Sequence, residues 1–178
     1  MRSEPTIDEL IISIKNFLES LNIEIFPNIK KNIKILNEIN DIDELKINEI
    51  IDFINNDLIN NLSGHDRFYA FVARNSLQII QREINLANDY EEKEIIRLEK
   101  LLKKKGNIKD LNKLLCERIS NKEINRDNND LKDHLIRTTM AKLSIDQPNY
   151  SGYLKAIKDG YSKDCLLYTS PSPRDGIG

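Results

Sequence analysis

The chain has 178 residues, of which 39% are hydrophobic and 31% are charged, and its formal net charge is −2. These values suit one domain, or one domain with an appendage, and no apolar run approaches the ~18 residues that a membrane helix needs. The near-neutral charge argues against a nucleic-acid partner, and two widely separated cysteines and two histidines argue against a disulfide scaffold or a histidine-rich metal site. We therefore expect no metal, no cofactor and no membrane contact. The absence of an apolar leader after Met1 leads us to expect a cytoplasmic protein.

Residue usage points to the kind of genome that encodes the chain. Ile, Asn and Lys are abundant, whereas Ala and Gly are scarce. The first three have AT-rich codons and the other two GC-rich codons, so the composition favours a bacterium with an AT-rich genome.

Hydrophobic periodicity predicts helices along the chain and no convincing strand. The predicted helices span residues 5–20, 28–39, 44–61, 66–87, 90–105, 108–120, 129–145 and 149–158. Pro5 suits the first turn of the first helix, and Ser63-Gly64 and Gly106 are expected to end the third and fifth helices. The sequence therefore predicts an all-α fold, a compact bundle of six to eight helices without a sheet.

The last residues differ in composition from the rest of the chain. Residues 165–175 read Cys-Leu-Leu-Tyr-Thr-Ser-Pro-Ser-Pro-Arg-Asp, without helical periodicity. The string resembles the translation of a transposase-type sequencing adapter, and a natural Ser/Pro-rich tail is the alternative. We give residues 165–178 no functional weight and expect them to form a tail without regular structure.

Several polar side chains fall on faces that a helical wheel marks as apolar. In residues 66–87 the apolar arc contains Glu83, with Asn75 and Arg82 at its edge. Arg118 falls on the apolar stripe of the next-but-one helix, and Lys142 falls on a line with Leu131, Leu135 and Thr138. A buried lone charge is costly, so we predict that Glu83 pairs with Arg118 or Lys142. Such a pair could fix helix register, or the charges could line a ligand groove or partner surface. The predicted apolar arc of residues 66–87 consists of Phe68, Val72, Leu77, Ile79, Ile80 and Ile84.

The segment around Pro148 predicts a turn into a short last helix. Pro148 pushes residue 147 towards extended geometry, and Asp146 or Asn149 can cap the helix that follows. Tyr150 and Tyr153 lie three residues apart and share a face. We expect this face to pack on the helix over residues 66–87, with the hydroxyls reaching Asn75 or Arg82. The alternative is that both rings cover the core and the hydroxyls meet water.

Chemistry-bearing motifs are scarce in this chain. It has no Gly-rich phosphate loop, no HExxH motif and no GxSxG elbow. His65 is interpreted as a loop or capping residue and Cys116 as a bystander. We predict no catalytic residue.

Two segments, residues 47–84 and 108–153, resemble a small bacterial helical family, domain-of-unknown-function family 6285. Its pattern Phe-x-x-x-Val-Ala-x-Asn-x-Leu is similar to the run from Phe68 to Leu77, and Arg82-Glu83-Ile84 follows. Further matches are Leu115-Cys116-Glu117-Arg118-Ile119 and a final block of Lys142-Leu143, Ile145-Asp146, Pro148-Asn149-Tyr150 and Tyr153. Phe71 and Arg74 depart from the pattern, which has a basic residue at the first position and a small one at the second.

The resemblance implies a domain organisation and a partner. Residues 20–46 look like an insertion, which gives an N-terminal helix with insertion over 1–46, a helical core domain over 47–160 and a tail over 161–178. Similar domains lie beside, or fused to, aminoglycoside-phosphotransferase-like kinases in a setting of hydroxyacyl-CoA catabolism. The resemblance therefore implies a non-catalytic accessory subunit of such a kinase.

An alternative from a different class is a small stand-alone ligand-binding protein or enzyme. It would use Glu83, Arg118 and Lys142 in a bundle cavity, and a cavity at those residues would favour it. The candidate binding residues of both hypotheses are Asn75, Arg82, Glu83, Arg118, Lys142, Asp146, Tyr150 and Tyr153.

Overall fold

A computed structural model describes residues 5–38 and 44–161 of the chain. The described residues form seven α-helices and one π-helical turn, and none of them lies in a β-strand. The helices are α1 (Ile7–Ser20), α2 (Ile29–Asn37), α3 (Glu44–Phe53), α4 (Gly64–Leu102), α5 (Ile108–Ser120), α6 (Asn129–Asp146) and α7 (Ser151–Lys158), and the π turn (Ile54–Leu58) follows α3. The prediction of an all-α fold with six to eight helices is confirmed.

The chain divides into two compact units, which we call the N-terminal unit and the C-terminal unit. The boundary lies between Asn85 and Leu86, inside α4. The domain division after residue 46 stays a prediction. The part of the predicted tail that follows Tyr161 lies outside the described residues.

Side-chain caps define where several helices begin. The Thr6 hydroxyl accepts from the Glu9 amide at 3.3 Å, and the Glu9 carboxylate accepts from the Thr6 amide at 2.6 Å, which forms a capping box at α1. Asn107 caps α5 by accepting from the Asp110 amide at 2.9 Å. Asn128 caps α6 in the same way through the Leu131 amide. Asparagine, abundant in this chain and poor inside helices, thus starts two of them.

The N-terminal unit is held together by an isoleucine- and leucine-rich core. Its buried residues come from α1, α2, α3, the π turn and the first turns of α4. On α4, Ala70, Ala73, Leu77 and Ile80 face this core. Burying each large aliphatic side chain contributes about 1.5–3 kcal/mol. In the π turn the Ile59 amide donates to the Ile54 carbonyl at 2.9 Å, and Ile54, Leu58 and Ile59 are all buried.

The C-terminal unit has its own leucine core. It consists of Leu98, Leu102, Leu111, Leu115 and Leu131, from the end of α4, from α5 and from the start of α6. Tyr153 of α7 is also buried within this unit's part of the chain. The short connection of residues 103–107 joins α4 to α5, and Lys103 begins it in the left-handed region with φ 51°.

Two predicted helices, 66–87 and 90–105, are one helix in the structure. The prediction of a helix start at Glu91-Glu92 is wrong because residues 88–90 contain no glycine or proline to stop α4. Gly106 is not the residue that ends the helix either, since α4 ends at Leu102 and Lys103 takes the left-handed turn. Gly64, expected to end the third helix, is instead the first residue of α4 and has φ 55°. Asp41–Asp43, which the sequence offers as a cap for the third predicted helix, lies outside the described residues.

The apolar arc predicted for residues 66–87 is only partly correct, since Leu77 and Ile80 are buried as expected. Phe68, Val72 and Ile84 are exposed, whereas the small residues Ala70 and Ala73 face the core. Near the start of α4 the small side chains of Ala70 and Ala73 allow close packing against the core, and the bulkier Phe68 and Val72 lie outside it. Further along, the large side chains of Leu77 and Ile80 are buried.

No helix among the described residues combines the length and the apolar character that crossing a bilayer requires.

Candidate functional site

The predicted site residues are distributed over both units. Asn75, Arg82 and Glu83 belong to the N-terminal unit, and Arg118, Lys142, Asp146, Tyr150 and Tyr153 belong to the C-terminal unit. Glu83 is 7% exposed, which confirms its predicted burial. Its pairing with Arg118 or Lys142 would join the two units and stays a prediction. Asn75 is exposed, and its side-chain oxygen accepts from Arg74 Nη2 at 3.3 Å.

Within the C-terminal unit, Arg118 binds the carboxyl end of α4. Its Nη1 donates to the Leu102 carbonyl at 3.1 Å, and its Nε lies 3.8 Å from Glu123 Oε2. A cation at a helix C-terminus satisfies carbonyls that have no partner in the helix and interacts favourably with the helix dipole. Arg118 therefore has a structural task at the α4–α5 connection.

The expectation that Lys142 lies on the buried line of α6 is wrong. Lys142 is exposed, and Leu135, which defined that line, is 50% exposed. The buried line of α6 runs instead through Leu131, His134, Ala141 and Ile145. This line follows the spacing of a helix–helix seam, in which inward residues alternate three and four apart.

Tyr153 joins a buried hydroxyl cluster with Tyr90 and Ser144. The Ser144 oxygen lies 3.0 Å from the Tyr90 hydroxyl and donates to the Ala141 carbonyl at 2.7 Å. Burial, and secondarily Tyr90, raises the pKa of Tyr153, while a hydrogen bond with Ser144 opposes the rise. The predicted contacts of Tyr153 with Asn75 or Arg82 would cross between units and stay predictions.

Tyr150 lies on the surface at the start of α7. Its ring is 51% exposed and covers Gly152, where an added Cβ would lie 2.6 Å from the ring carbon Cε1. Leu154, one turn along, is exposed as well. Neither Asp146 nor Asn149 caps α7, because the N-cap position is Tyr150 and it makes no side-chain capping bond. Gln147 leaves the helical region, with φ −141° and ψ 65°, but its ψ falls short of the extended geometry that we expected before Pro148.

A cluster of titratable side chains, buried Glu94, half-buried Arg97 and buried His134, lies between α4 and α6 and was not predicted. Glu94 accepts from the Asn112 amide group of α5 at 3.2 Å. His134 is 3% exposed, and its Nδ1 has no hydrogen-bond partner among the described residues, as is also true of Arg97 Nε. A continuous α4 places Tyr90, Glu94 and Leu98 on one line at intervals of four residues. The predicted break near residue 90 hid this signal.

Burial governs the protonation of this cluster. It lowers the pKa of His134, the Arg97 cation lowers it further, and the carboxylates of Glu94 and Asp133 oppose both effects. The imidazole is therefore held neutral near pH 7. Because His134 is buried, its chemistry acts on the stability of the unit and not directly on a substrate in solution.

The N-terminal unit exposes an aromatic surface on α4. We define the α4 aromatic face as His65, Phe68, Tyr69 and Val72. Phe68 is 61% exposed, and its ring centroid lies 5.8 Å from that of Tyr69, which in turn contacts His65 at 5.1 Å. Arg67 and Arg74 both lie over the neighbouring Phe71 ring. An exposed cluster of aromatic rings beside cations is typical of a protein interaction surface.

No group of three or more metal-ligating side chains occurs within residues 5–38 and 44–161. A pocket in the C-terminal unit lies at the α4–α5 connection, and none of the predicted site residues lines it.

Comparison with known proteins identifies one family. The model of a domain of unknown function, DUF6285, matches residues 60–150, which contain α4, α5 and α6. No curated protein and no solved structure matches the chain.

Proposed function

The chain belongs to DUF6285, a family of domains of unknown function, and we propose that it is a non-catalytic accessory subunit that docks on an aminoglycoside-phosphotransferase-like kinase of hydroxyacyl-CoA catabolism. The resemblance described above supports the identity of the partner. The Ile-, Asn- and Lys-rich composition supports a bacterial source, and such a kinase would act in the cytoplasm.

The observation that carries the docking role is the exposure of the α4 aromatic face. The motif that resembles the family contains two kinds of residue: Ala73 and Leu77 are buried in the core, whereas Phe68 and Val72 are exposed. Core packing explains why the motif contains Ala73 and Leu77, but it does not explain Phe68 and Val72. A partner surface explains the exposed pair, because aromatic residues are enriched in interface cores, where they contribute most of the binding energy.

Charge around this face favours an acidic partner surface. Arg67 and Arg74 lie 5.8 Å and 5.0 Å from the centroid of the Phe71 ring, one on each side of it in sequence. Phe71 is half-buried, so both cations lie on the same stretch of α4 as the exposed rings. Complementary charge on the kinase would orient the complex and accelerate association.

The alternative, a stand-alone ligand-binding protein or enzyme that uses Glu83, Arg118 and Lys142, receives less support. Arg118 already binds the Leu102 carbonyl, and Lys142 is exposed. The pocket at the α4–α5 connection does not contain these residues.

Surface variants test the docking role without disturbing the core. We expect Phe68→Ala and Val72→Ala together to weaken binding to the co-expressed neighbouring kinase by at least tenfold, since interface anchors typically cost 2 kcal/mol or more when truncated. Ile96→Ala is the matched control, because Ile96 is an exposed aliphatic residue of the same helix outside this face. A separate Tyr150→Ala variant tests whether the exposed ring at the start of α7 takes part in docking.

Equal binding by the wild-type chain and the Phe68→Ala, Val72→Ala variant, with unchanged helicity of both, would exclude the α4 aromatic face as the docking surface. A loss of binding in Tyr150→Ala alone would assign docking to α7.

A further inference from the structure

A pocket of about 310 Å³ lies where α4 passes into α5. This volume is at the lower end of the range, roughly 300–1,000 Å³, of small-molecule sites. Its lining combines three lysines with an apolar floor: Lys104 and Lys105 come from the connection, Lys113 from α5, and Leu111 and Leu114 from the inner side of α5.

The connection that carries the lysines is held in a defined conformation. Lys103 turns the chain through the left-handed region, and the Gly106 amide donates to Glu99 Oε1 at 3.4 Å. Asn107 then caps α5. These contacts place Lys104 and Lys105 at the same pocket as Lys113, one turn into the next helix, before any ligand binds.

The pocket lining carries an excess of positive charge. Among the residues that the structure describes, no carboxylate forms an ion pair with Lys104, Lys105 or Lys113. Two carboxylates also line the pocket, Asp110, which accepts from Asn107 Nδ2 at 2.7 Å, and Glu117. Three ammonium groups therefore face two carboxylates, a net charge of +1, close to the positive end of the α5 dipole.

We propose that this lysine pocket binds a small organic anion. A phosphate or carboxylate group meets the ammonium groups of Lys104, Lys105 and Lys113, and the carbon part of the ligand covers Leu111 and Leu114. The lysines act as point charges, so they can bind either a phosphate or a carboxylate group. The leucine floor favours an organic anion over an inorganic one because it can pack against the carbon part of the ligand.

Four probes separate charge from apolar contact: hexyl phosphate, hexanoate, inorganic phosphate and hexanol. Each is titrated into the full chain, and shifts of the backbone amide resonances of residues 104–117 are followed by NMR. We expect hexyl phosphate to bind at least tenfold more tightly than inorganic phosphate, which has no carbon chain for the leucines, and than hexanol, which has no charge for the lysines. Hexanoate decides whether a single-charge carboxylate suffices or a phosphate is required.

Charge variants locate the site. An ammonium at contact distance strengthens binding of an oxyanion by roughly fivefold in an aqueous environment, so the combined Lys104→Gln, Lys105→Gln, Lys113→Gln variant should bind hexyl phosphate about 100-fold more weakly. Glu117→Gln removes one of the two opposing carboxylates and should strengthen binding several-fold. Lys158→Gln, in α7 of the same unit, is the matched control and should leave affinity unchanged.

The proposal is overturned if the triple variant and the wild-type chain bind hexyl phosphate equally. It is also overturned if inorganic phosphate binds as tightly as hexyl phosphate, because the leucine floor would then play no part. Should the triple variant lose helicity, the single Glu117→Gln and Lys113→Gln variants, with opposite expected effects, decide the matter.

Discussion

At the scale of single residues, His134 shows how burial, assisted by a neighbouring cation, changes the protonation of a side chain. The sequence contains two histidines, and neither has a motif around it. His134 lies on the inner line of α6, where burial and Arg97 lower its pKa. A neutral imidazole inside a helical unit is a source of pH-dependent stability.

The sign of that dependence follows from linkage. The folded-state pKa of His134 is lowered below its ordinary value, so the unfolded chain takes up the proton first as the pH falls. Its contribution to stability is complete above about pH 6.5, the ordinary histidine value, and is lost as the pH falls towards the folded-state pKa. We expect His134→Leu to flatten the change in unfolding free energy between pH 8 and pH 5, measured by urea denaturation.

His65→Gln is the control for this experiment, because it keeps His134 and removes an exposed histidine. A His134→Leu variant that loses stability below pH 6.5 as steeply as the wild-type chain would refute the assignment.

Glu83 offers a second test at this scale. It is buried, and removal of one partner of a buried ion pair costs about 3–5 kcal/mol. We expect Glu83→Ala to lower the unfolding free energy by about 3 kcal/mol, whereas Glu92→Ala, at an exposed position of the same helix, should change it little. A double-mutant cycle with Arg118→Ala identifies the predicted partner, and an unchanged thermal melt of Glu83→Ala would contradict the ion pair.

At the scale of elements, α4 is the helix that organises the chain. It contributes core residues to the N-terminal unit up to Ile80 and core residues to the C-terminal unit from Leu98 onward. Its 39 residues contain no proline, and its only glycine is the first residue. Continuity through residues 88–92 is therefore a property of the helix that can be tested directly.

A proline at Asn88 distinguishes one helix from two. In the interior of a continuous helix it removes a backbone hydrogen bond and clashes with the preceding turn, at a cost of about 3 kcal/mol or more. We expect Asn88→Pro to destabilise the chain by that amount in chemical denaturation, and Asn88→Ala to leave stability unchanged or slightly higher. Full tolerance of the proline would show a break between two helices at this point.

The helices themselves were largely predictable, but the orientation of their faces was not. Hydrophobic periodicity predicted helices over 108–120 and 129–145, and the structure has α5 and α6 at those positions almost to the residue. The face of α6 and part of the face of α4 were misassigned because both helices carry apolar residues on two sides, and only tertiary packing decides which side is buried. Ala70 and Ala73 face the core for close packing, and Phe68 and Leu135 do not.

Prediction of the candidate site residues was limited in the same way, because it also required knowledge of tertiary packing. Burial of Glu83 and Tyr153 followed from the helical wheel and from helix spacing, whereas Glu94 and His134 became visible only with a continuous α4 and the true phase of α6. The lysine pocket is formed by residues from a connection and from α5, and periodicity within a single helix carries no signal for such an arrangement.

At the scale of the whole molecule, each of the two helical units exposes aromatic rings. Among the described residues these are Phe68 and Tyr69 in the N-terminal unit and Tyr150 and Tyr161 in the C-terminal unit. An exposed aromatic ring contributes little to folding and much to association. The function that fits this distribution is binding to another protein.

The most direct measurement is co-expression of the chain with the partner that we propose, an aminoglycoside-phosphotransferase-like kinase, followed by size-exclusion chromatography with light scattering. The expected result is one peak whose mass is the sum of the two proteins in a fixed ratio, and loss of that peak when Phe68 and Val72 are replaced by alanine. Separate elution of the folded kinase and the folded wild-type chain at micromolar concentration would contradict it.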